Sequence, residues 1–300
     1  MNRKKILVPV NFGKQSEAAL RLATFLSGTM NGMITCLHVI EDPGCITGGF
    51  ISGEIGGKIR REAEQRLSIV ANRIIDDRKI PFEIIVTSGK VHRKIMEKAT
   101  DLNASVIVMG RSDSDSAERG AIGSNAIKVI TRAHIPVVTI SEGIFPVQKN
   151  ILLPLDLSKP VGSKLAKATD VARLFDSRVS VITVLGTRQK ELEHKYRRQL
   201  EEINLFFQAE GIGSRGDIVI TDNPVPGEIL SWALRNGAGL IMVMTQQERE
   251  ITDFFIGSTV QEIMNKSDLP LLSILPEVQN GEPPEKSKLG SRIDPISLLT

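Results

Sequence analysis

The 300-residue sequence predicts an α/β chain of two tandem doubly wound domains, each a five-stranded, mostly parallel sheet with helices on both faces. Three observations predict it. Residues 6–40 align without a gap on residues 151–185, and residues 83–140 align on 217–274, pairing Gly123 with Gly257 and Pro136 with Pro270. Within each copy, five short runs rich in Val, Ile and Leu alternate with longer stretches of helical period. The runs are apolar on both faces, as strands must be in a parallel sheet covered by helices.

In copy one the strand-like runs are KKILVPV (4–10), MITCLHVI (33–40), FEIIVT (82–87), SVIVMG (105–110) and IPVVTI (135–140). Helix-period apolar residues occupy 17–26, 59–75, 94–102 and 124–132. Copy two repeats the strands as NILLPLDL (150–157), VSVITVL (179–185), DIVIT (217–221), GLIMVMT (239–245) and LPLLSIL (269–275). The first alignment sets Ile6 over Ile151, an offset of 145, and the second sets Ile84 over Ile218, an offset of 134. Copy one therefore carries 11 more residues, between positions 41 and 82. The domains are expected at 1–145 and 146–277. The remainder, 278–300, is rich in Glu, Pro, Gly, Lys and Ser, a composition that cannot bury enough apolar surface to order itself. Two cores are expected, because single cores rarely grow to this length.

Composition excludes several function classes. With 38 basic against 35 acidic residues, the net charge of +3 makes no field that would draw nucleic acid. One Trp and one Tyr supply no stacking platform for single strands. No apolar stretch approaches the ~20 residues that span a bilayer. MNRKKILVPV runs into a strand without an export signal, so a cytoplasmic chain is expected, with neither nucleic-acid nor membrane partners. Cys36 and Cys45 form no CxxC motif, and Cys36 reads as core packing. The four histidines are scattered without metal-ligand spacing. His38, ending the second strand, reads as a histidine satisfied by backbone. No Ser, His and Asp set converges on strand ends, so no catalytic residue is nominated and the chain is read as a non-enzyme. GEIGGK (53–58) lacks the Gly and Ser/Thr positions of a phosphate loop. The Gly-rich stretch 41–58 is read either as a lid or partner-binding loop or as an inert insertion. Residues 190–202, with opposite charges three and four apart, read as a solvated helix face.

Ligands of doubly wound sheets bind outside the carboxyl ends of the strands, where the strand order reverses. The first strand ends at Asn11 in copy one and Asp156 in copy two, each suited to touch a ligand or to cap the next helix. The fourth strand of copy one ends at Gly110, and a polar loop leads to Gly123-Ser124 at a helix start. That arrangement fits an anion site, or simply a helix capped by Ser124.

The spacing Gly110, two residues, Asp113, nine residues, Gly123, Ser124 resembles the signature of the universal stress protein family, in which a second Gly stands where Asp113 is found. ILVPVNF at the start, LHV ending strand two, SGKVHRKIMEKA after strand three and IPVVTI as the closing strand are also similar to the family. The resemblance covers residues 4–276 in two copies. It implies an adenine-nucleotide alpha-hydrolase-like fold and a role in stress-linked regulation rather than turnover. It implies binding of ATP, with a divalent cation such as Mg2+ bridging the phosphates. Asn11 and the backbone near Val39 would then face adenine and Gly110 the ribose, while Gly123, Ser124 and Asn125 would hold phosphate. Asn11 replaces the family's Asp at strand one. Asp113 adds a like charge near the phosphates, which Arg111 or Arg119 could offset. In copy two Asp156 is restored, but Met244 and Gln247 replace both leading glycines, so domain 2 is expected to be degenerate. The family also implies that IPVVTI and PLLSIL pair, making a pseudo-dimer within one chain; a further homodimer of chains stays open. Two other readings stay open: a protein-binding module that has lost nucleotide binding in both domains, and a nucleotide-hydrolysing enzyme, against which the lack of a positioned base counts.

Overall fold

The computed structural model describes residues 3–41, 54–75, 80–111, 122–142, 148–244, 246–247, 254–255 and 257–275. The elements of the first half run β1 (Lys4–Pro9), α1 (Lys14–Met30), β2 (Gly32–Ile40), α2 (Glu54–Ile75), β3 (Phe82–Ser88), α3 (Val91–Asp101), β4 (Val106–Gly110), α4 (Ser124–Ile130) and β5 (Val137–Ile140). The second half runs β6 (Asn150–Pro154), α5 (Gly162–Phe175), β7 (Arg178–Leu185), a 3-10 turn (Thr187–Leu192), α6 (Glu193–Ala209), β8 (Ser214–Ile220), α7 (Val225–Arg235) and β9 (Leu240–Met244). A short hairpin, β10 (Gln246–Gln247) with β11 (Phe254–Phe255), then α8 (Ser258–Lys266) and β12 (Leu271–Ile274) complete it. Every strand anticipated from the sequence is present. Helix α1 starts three residues earlier than its apolar period suggests, because Lys14, Gln15 and Ser16 are polar and carry no period.

One ten-stranded sheet runs through both halves in the order β3-β2-β1-β4-β5-β12-β9-β6-β7-β8. Each half contributes five parallel strands. The halves meet where β5 and β12 pair antiparallel, Leu271 opposite Thr139 and Ser273 opposite Val137, so the expected pairing of closing strands is observed. The order reverses beside β1 in one half and beside β6 in the other.

Because the sheet is continuous, each of the two cores is a layer that runs through both halves. On one face, α1 and α2 (Ala19, Leu20, Leu67, Ala71) share a layer with α5 and α6 (Leu165, Ala168, Leu200, Phe207). On the other, α3 and α4 (Ile95, Val129) share one with α7 and α8 (Ile229, Trp232, Ile263, Met264). Alternation along β1 sends Ile6 and Val8 to the first layer and Leu7 to the second. Cys36 lies wholly in the first layer, where burial pushes its thiol up to about 12.

Equivalent turns recur in the two copies. Helix α1 ends on Asn31 and α5 on Asp176, both left-handed with φ of 49°. Residues of these two types tolerate that conformation, and both lead directly into the next strand. The run 190–202 divides between the 3-10 turn and α6, whose Glu193 and Arg197 pair one turn apart on the exposed side as anticipated. Residues 54–58 of the rejected phosphate-loop pattern are the first turn and a half of α2. The rest of the Gly-rich stretch from residue 42, with Cys45, and the C-terminal tail lie outside the described residues. Among the described residues, no helix is long and apolar enough to cross a membrane.

Candidate functional site

At the reversal beside β1, a crevice opens above the carboxyl ends of β1, β2 and β4. Pro9, Val10, Asn11, Ser16, His38, Val39, Val91, Ile95, Met109 and Gly110 line it around about 470 Å³ of empty space, counted to its open mouth. Its walls are apolar, from Val39, Val91, Ile95 and Met109, and its polar groups sit at the rim. The structure thus brings together Asn11, Val39 and Gly110 of the residues singled out in the sequence.

The β1–α1 connection shapes one rim. Asn11 is exposed, and its Oδ1 accepts the Gly13 N–H at 3.0 Å. This turn precedes the helix, whose cap residue, Gly13, makes no side-chain capping bond. Phe12 follows with φ of 66°, a conformation that costs a bulky residue about 1 kcal/mol. It is held between the His38 ring, centroids 4.5 Å apart, and the Arg66 guanidinium, 4.3 Å above the ring centroid. His38 itself is bonded through Nδ1 to the Val10 carbonyl at 2.7 Å, so the backbone-satisfied reading of this histidine holds.

Gly110 ends β4 with helix α1 pressed against it. A Cβ at this position would meet the Gln15 carbonyl carbon and Cβ at 3.0 Å. The glycine is thus required by the close approach of α1, independently of any ligand. Gly123 is the cap of α4, and its N–H donates to the Arg111 carbonyl at 2.8 Å. The structure puts Ser124 one position inside the helix, exposed, with no side-chain capping bond. This corrects the capping role considered for it: with Gly123 already in extended conformation at the cap, the serine falls in the first turn. Asn125 lies next along α4 and shares a hydrogen bond with His92. Burial, with the charges of Lys128, Arg132 and Arg93, pulls His92 down against that bond. Asp113 and Arg119 lie outside the described residues.

Arg111 does not face the crevice. It is buried, and its Nη1 and Nη2 donate to the Ser267 and Leu269 carbonyls of the other half, at 2.6 and 3.2 Å. The idea that it offsets a charge at the loop is therefore set aside. Its acceptors are backbone carbonyls in the turn before β12, which no side-chain motif announces.

The equivalent strand ends of the second half are built differently. Asp156 repeats the turn of Asn11: its Oδ1 accepts Ser158 N–H at 3.0 Å and Ser158 Oγ–H at 2.5 Å, with Lys159 Nζ 3.3 Å from Oδ2. Burial works against its charge, but these bonds prevail and hold the carboxyl below its ordinary range. Met244 stands where Gly110 stands in the first half, and Pro160 where Gln15 stands. Correspondingly α5 begins at Gly162, three positions later in register than α1. Lys164 replaces the fully buried Ala19, and burial lowers its amine below the usual lysine range. Gln247 lies in the short β10, its side chain outside the description. Among the described residues, no cluster of three His, Cys, Asp or Glu side chains could hold a metal ion.

A family model described as the universal stress protein family matches residues 2–141 and again residues 148–274. Universal stress protein G of Shigella flexneri is 32% identical over 143 residues, spanning 46% of this chain and 98% of its own length. A universal stress protein structure from Archaeoglobus fulgidus superposes with a TM-score of 0.66 at 20% identity, covering 91% of this chain and 97% of that one. A functionally unknown protein from Pseudomonas aeruginosa does so with a TM-score of 0.62 at 16% identity, covering 91% and 93%. At these identities the two structures share the fold. With its model matched twice over nearly the whole described chain, the chain belongs to the universal stress protein family.

Proposed function

We propose that the chain is a non-catalytic stress-response regulator that binds ATP or another adenine nucleotide in its first half, taken as residues 1–145, while the second half, 146–277, is degenerate as a nucleotide site. The observation that carries this reading is the crevice at the strand-order reversal. Apolar walls from Val39, Val91, Ile95 and Met109 suit a planar base, and Asn11 stands at its rim. Gly110 follows on the same wall. Backbone N–H groups at Ser124 and Asn125, with the Ser124 hydroxyl, would meet phosphates there. A bound Mg2+ would be held mainly by the phosphates it bridges. In the second half, Met244 in place of the glycine and Lys164 in place of Ala19 reshape the same strand ends.

The test is direct. Small molecules released from the purified full-length protein are identified by mass spectrometry, and ATP is titrated by calorimetry into wild type and Gly123→Val. Saturable binding, weakened at least tenfold in the variant, is expected. No released nucleotide and no saturable binding would sink the reading. Binding with sustained phosphate release would replace it with an enzyme.

A second reading, a module that binds a protein partner and no nucleotide, is favoured by one observation. Asn11 Oδ1 is engaged by its own turn and Gly110 is required by α1, so both have structural roles without a ligand.

A further inference from the structure

Arg111 directly follows Gly110, which ends β4 and lines the crevice. Its main chain is fastened on two sides. The N–H donates to the Ile140 carbonyl of β5 at 2.8 Å, and the carbonyl accepts the Gly123 N–H at the head of α4, also at 2.8 Å. This residue thus fastens the end of β4 to β5 and to the head of α4. The side chain, 2% exposed, crosses the seam between the halves to the carbonyls of Ser267 and Leu269. The receiving turn is itself braced, since Ser267 Oγ donates to the Leu269 carbonyl and accepts the Leu269 N–H, each at 3.1 Å. It leads straight into β12.

A cation at this place needs an explanation. Burial pushes the guanidinium down to about 10, with the charge of Asp268 acting the other way. Among the described residues its Nε has no partner, and no carboxylate is hydrogen-bonded to it. The desolvation of a buried ion that lacks a carboxylate partner offsets much of what its two hydrogen bonds contribute to the seam. What arginine supplies and an apolar residue cannot is a fixed fork that ties one backbone segment to another. The sequence does not repeat the guanidinium: the position equivalent to Arg111 in the second half holds Thr245.

We propose that Arg111 is a positioning residue through which the second half sets the ligand affinity of the first-half crevice, and through which a bound ligand is felt in return at the turn 267–269. This rests on the nucleotide reading above. The fastened end of β4 is the shared element: shifting Arg111 moves Gly110 and Gly123 together, and the turn before β12 fixes Arg111.

The experiment uses the full-length protein as wild type, Arg111→Met and Arg111→Lys. Each is titrated with ATP by calorimetry, and amide hydrogen exchange over residues 263–272 is followed without ATP and at saturating ATP for that variant. In wild type, ATP is expected to slow exchange in this segment. Arg111→Met should bind ATP about tenfold more weakly and lose the exchange response. Its thermal unfolding midpoint should fall by a few degrees, because the buried Ser267 carbonyl loses its donor while Leu269 keeps the Ser267 hydroxyl, so the variant stays folded for the titration. Arg111→Lys, which keeps the charge and one donor, should recover part of both effects, and it carries the test if Arg111→Met does not fold. ATP binding by wild type with unchanged exchange at 263–272 overturns the coupling and leaves the nucleotide reading standing. Wild-type affinity and exchange response in Arg111→Met overturn it as well. Failure of wild type to bind ATP overturns both.

Discussion

The strand ends of the two halves begin from the same turn and diverge at the contact between a strand end and a helix start. In the first half, Gly110 lets the opening of α1 at Lys14 come within van der Waals reach of β4, with Gln15 directly against it. In the second, Met244 fills that place, Pro160 replaces Gln15, and α5 starts only at Gly162. A side chain at the strand end and a closely packed helix start exclude each other, so one half has a glycine wall and a full-length helix and the other a methionine and a shortened one. The difference teaches that the first glycine of the signature is a packing residue before it is a ligand residue. Its loss in the second half changes the shape of the strand ends as well as their surface.

Gly110→Met breaks this comparison most forcefully, because it gives the first half the second half's strand end without its helix start. The new side chain must displace the backbone of Gln15, and overpacking of this kind should cost about 3 kcal/mol, read as a lower urea midpoint with unchanged slope. ATP binding should fall with it. The opposite change, Met244→Gly, removes a half-buried side chain where the helix has already withdrawn, and should cost no more than ~1 kcal/mol. Equal costs for the two variants would show that the helix start and the strand end are not linked as described.

Much of this arrangement was legible in the sequence, and the parts that were not share a cause. The strands, the two copies and the burial of Cys36 follow from apolar runs and their order, which are local signals, whereas the pairing of IPVVTI with PLLSIL was implied by the family resemblance alone. The reach of Arg111 is not local. Its acceptors are carbonyls 156 and 158 residues away, and a carbonyl leaves no mark on the sequence. The closest hint was a lone cation directly after an apolar strand. Likewise the left-handed Phe12 is fixed by His38 and Arg66 from β2 and α2, contacts that exist only once the sheet is assembled. That each core layer runs through both halves follows from a single antiparallel pairing. Chain length alone suggested two cores but could not say how they divide.

Lys164 sharpens the comparison at a second position. It stands where the first half has the fully buried Ala19, and burial outweighs the attraction of Asp156, lowering its amine below 10.5. The folded protein therefore holds this proton less tightly than the unfolded chain. As pH rises from the folded value toward 10.5, the folded amine discharges first, so this residue makes wild-type stability rise across that window. Lys164→Met should abolish the rise. With screening of a partly exposed group allowed for, it should also raise stability at pH 7 by on the order of 1 kcal/mol. Urea unfolding at pH 7 and in steps toward pH 10.5 measures both. A variant whose curve stays parallel to that of wild type would mean that the lysine is as well solvated folded as unfolded, and the strand ends of the second half would then be more open than those of the first.

The smallest effect tests the turn that the two halves share. Asn11 and Asp156 both accept an N–H two residues on, but Asp156 adds the Ser158 hydroxyl and the Lys159 ammonium, and these bonds, against burial, hold its carboxyl below 3.8. A group depressed in this way contributes stability that is present above 3.8 and is lost as pH falls through the folded value. Asp156→Asn gives the second half the first half's turn. It should cost only ~0.5 kcal/mol at pH 7, because the carboxylate is largely exposed and its ion pair is screened. The gap between variant and wild type should close as the wild-type carboxyl protonates, so that urea midpoints that differ at pH 7 converge as pH falls through the folded value, below 3.8. A gap that persists once the carboxyl is protonated would mean that the carboxylate's charge is not what distinguishes the two turns. The geometry around Ser158 and Pro160 would then have to account for the difference, which would place the divergence of the two halves in the helix start alone.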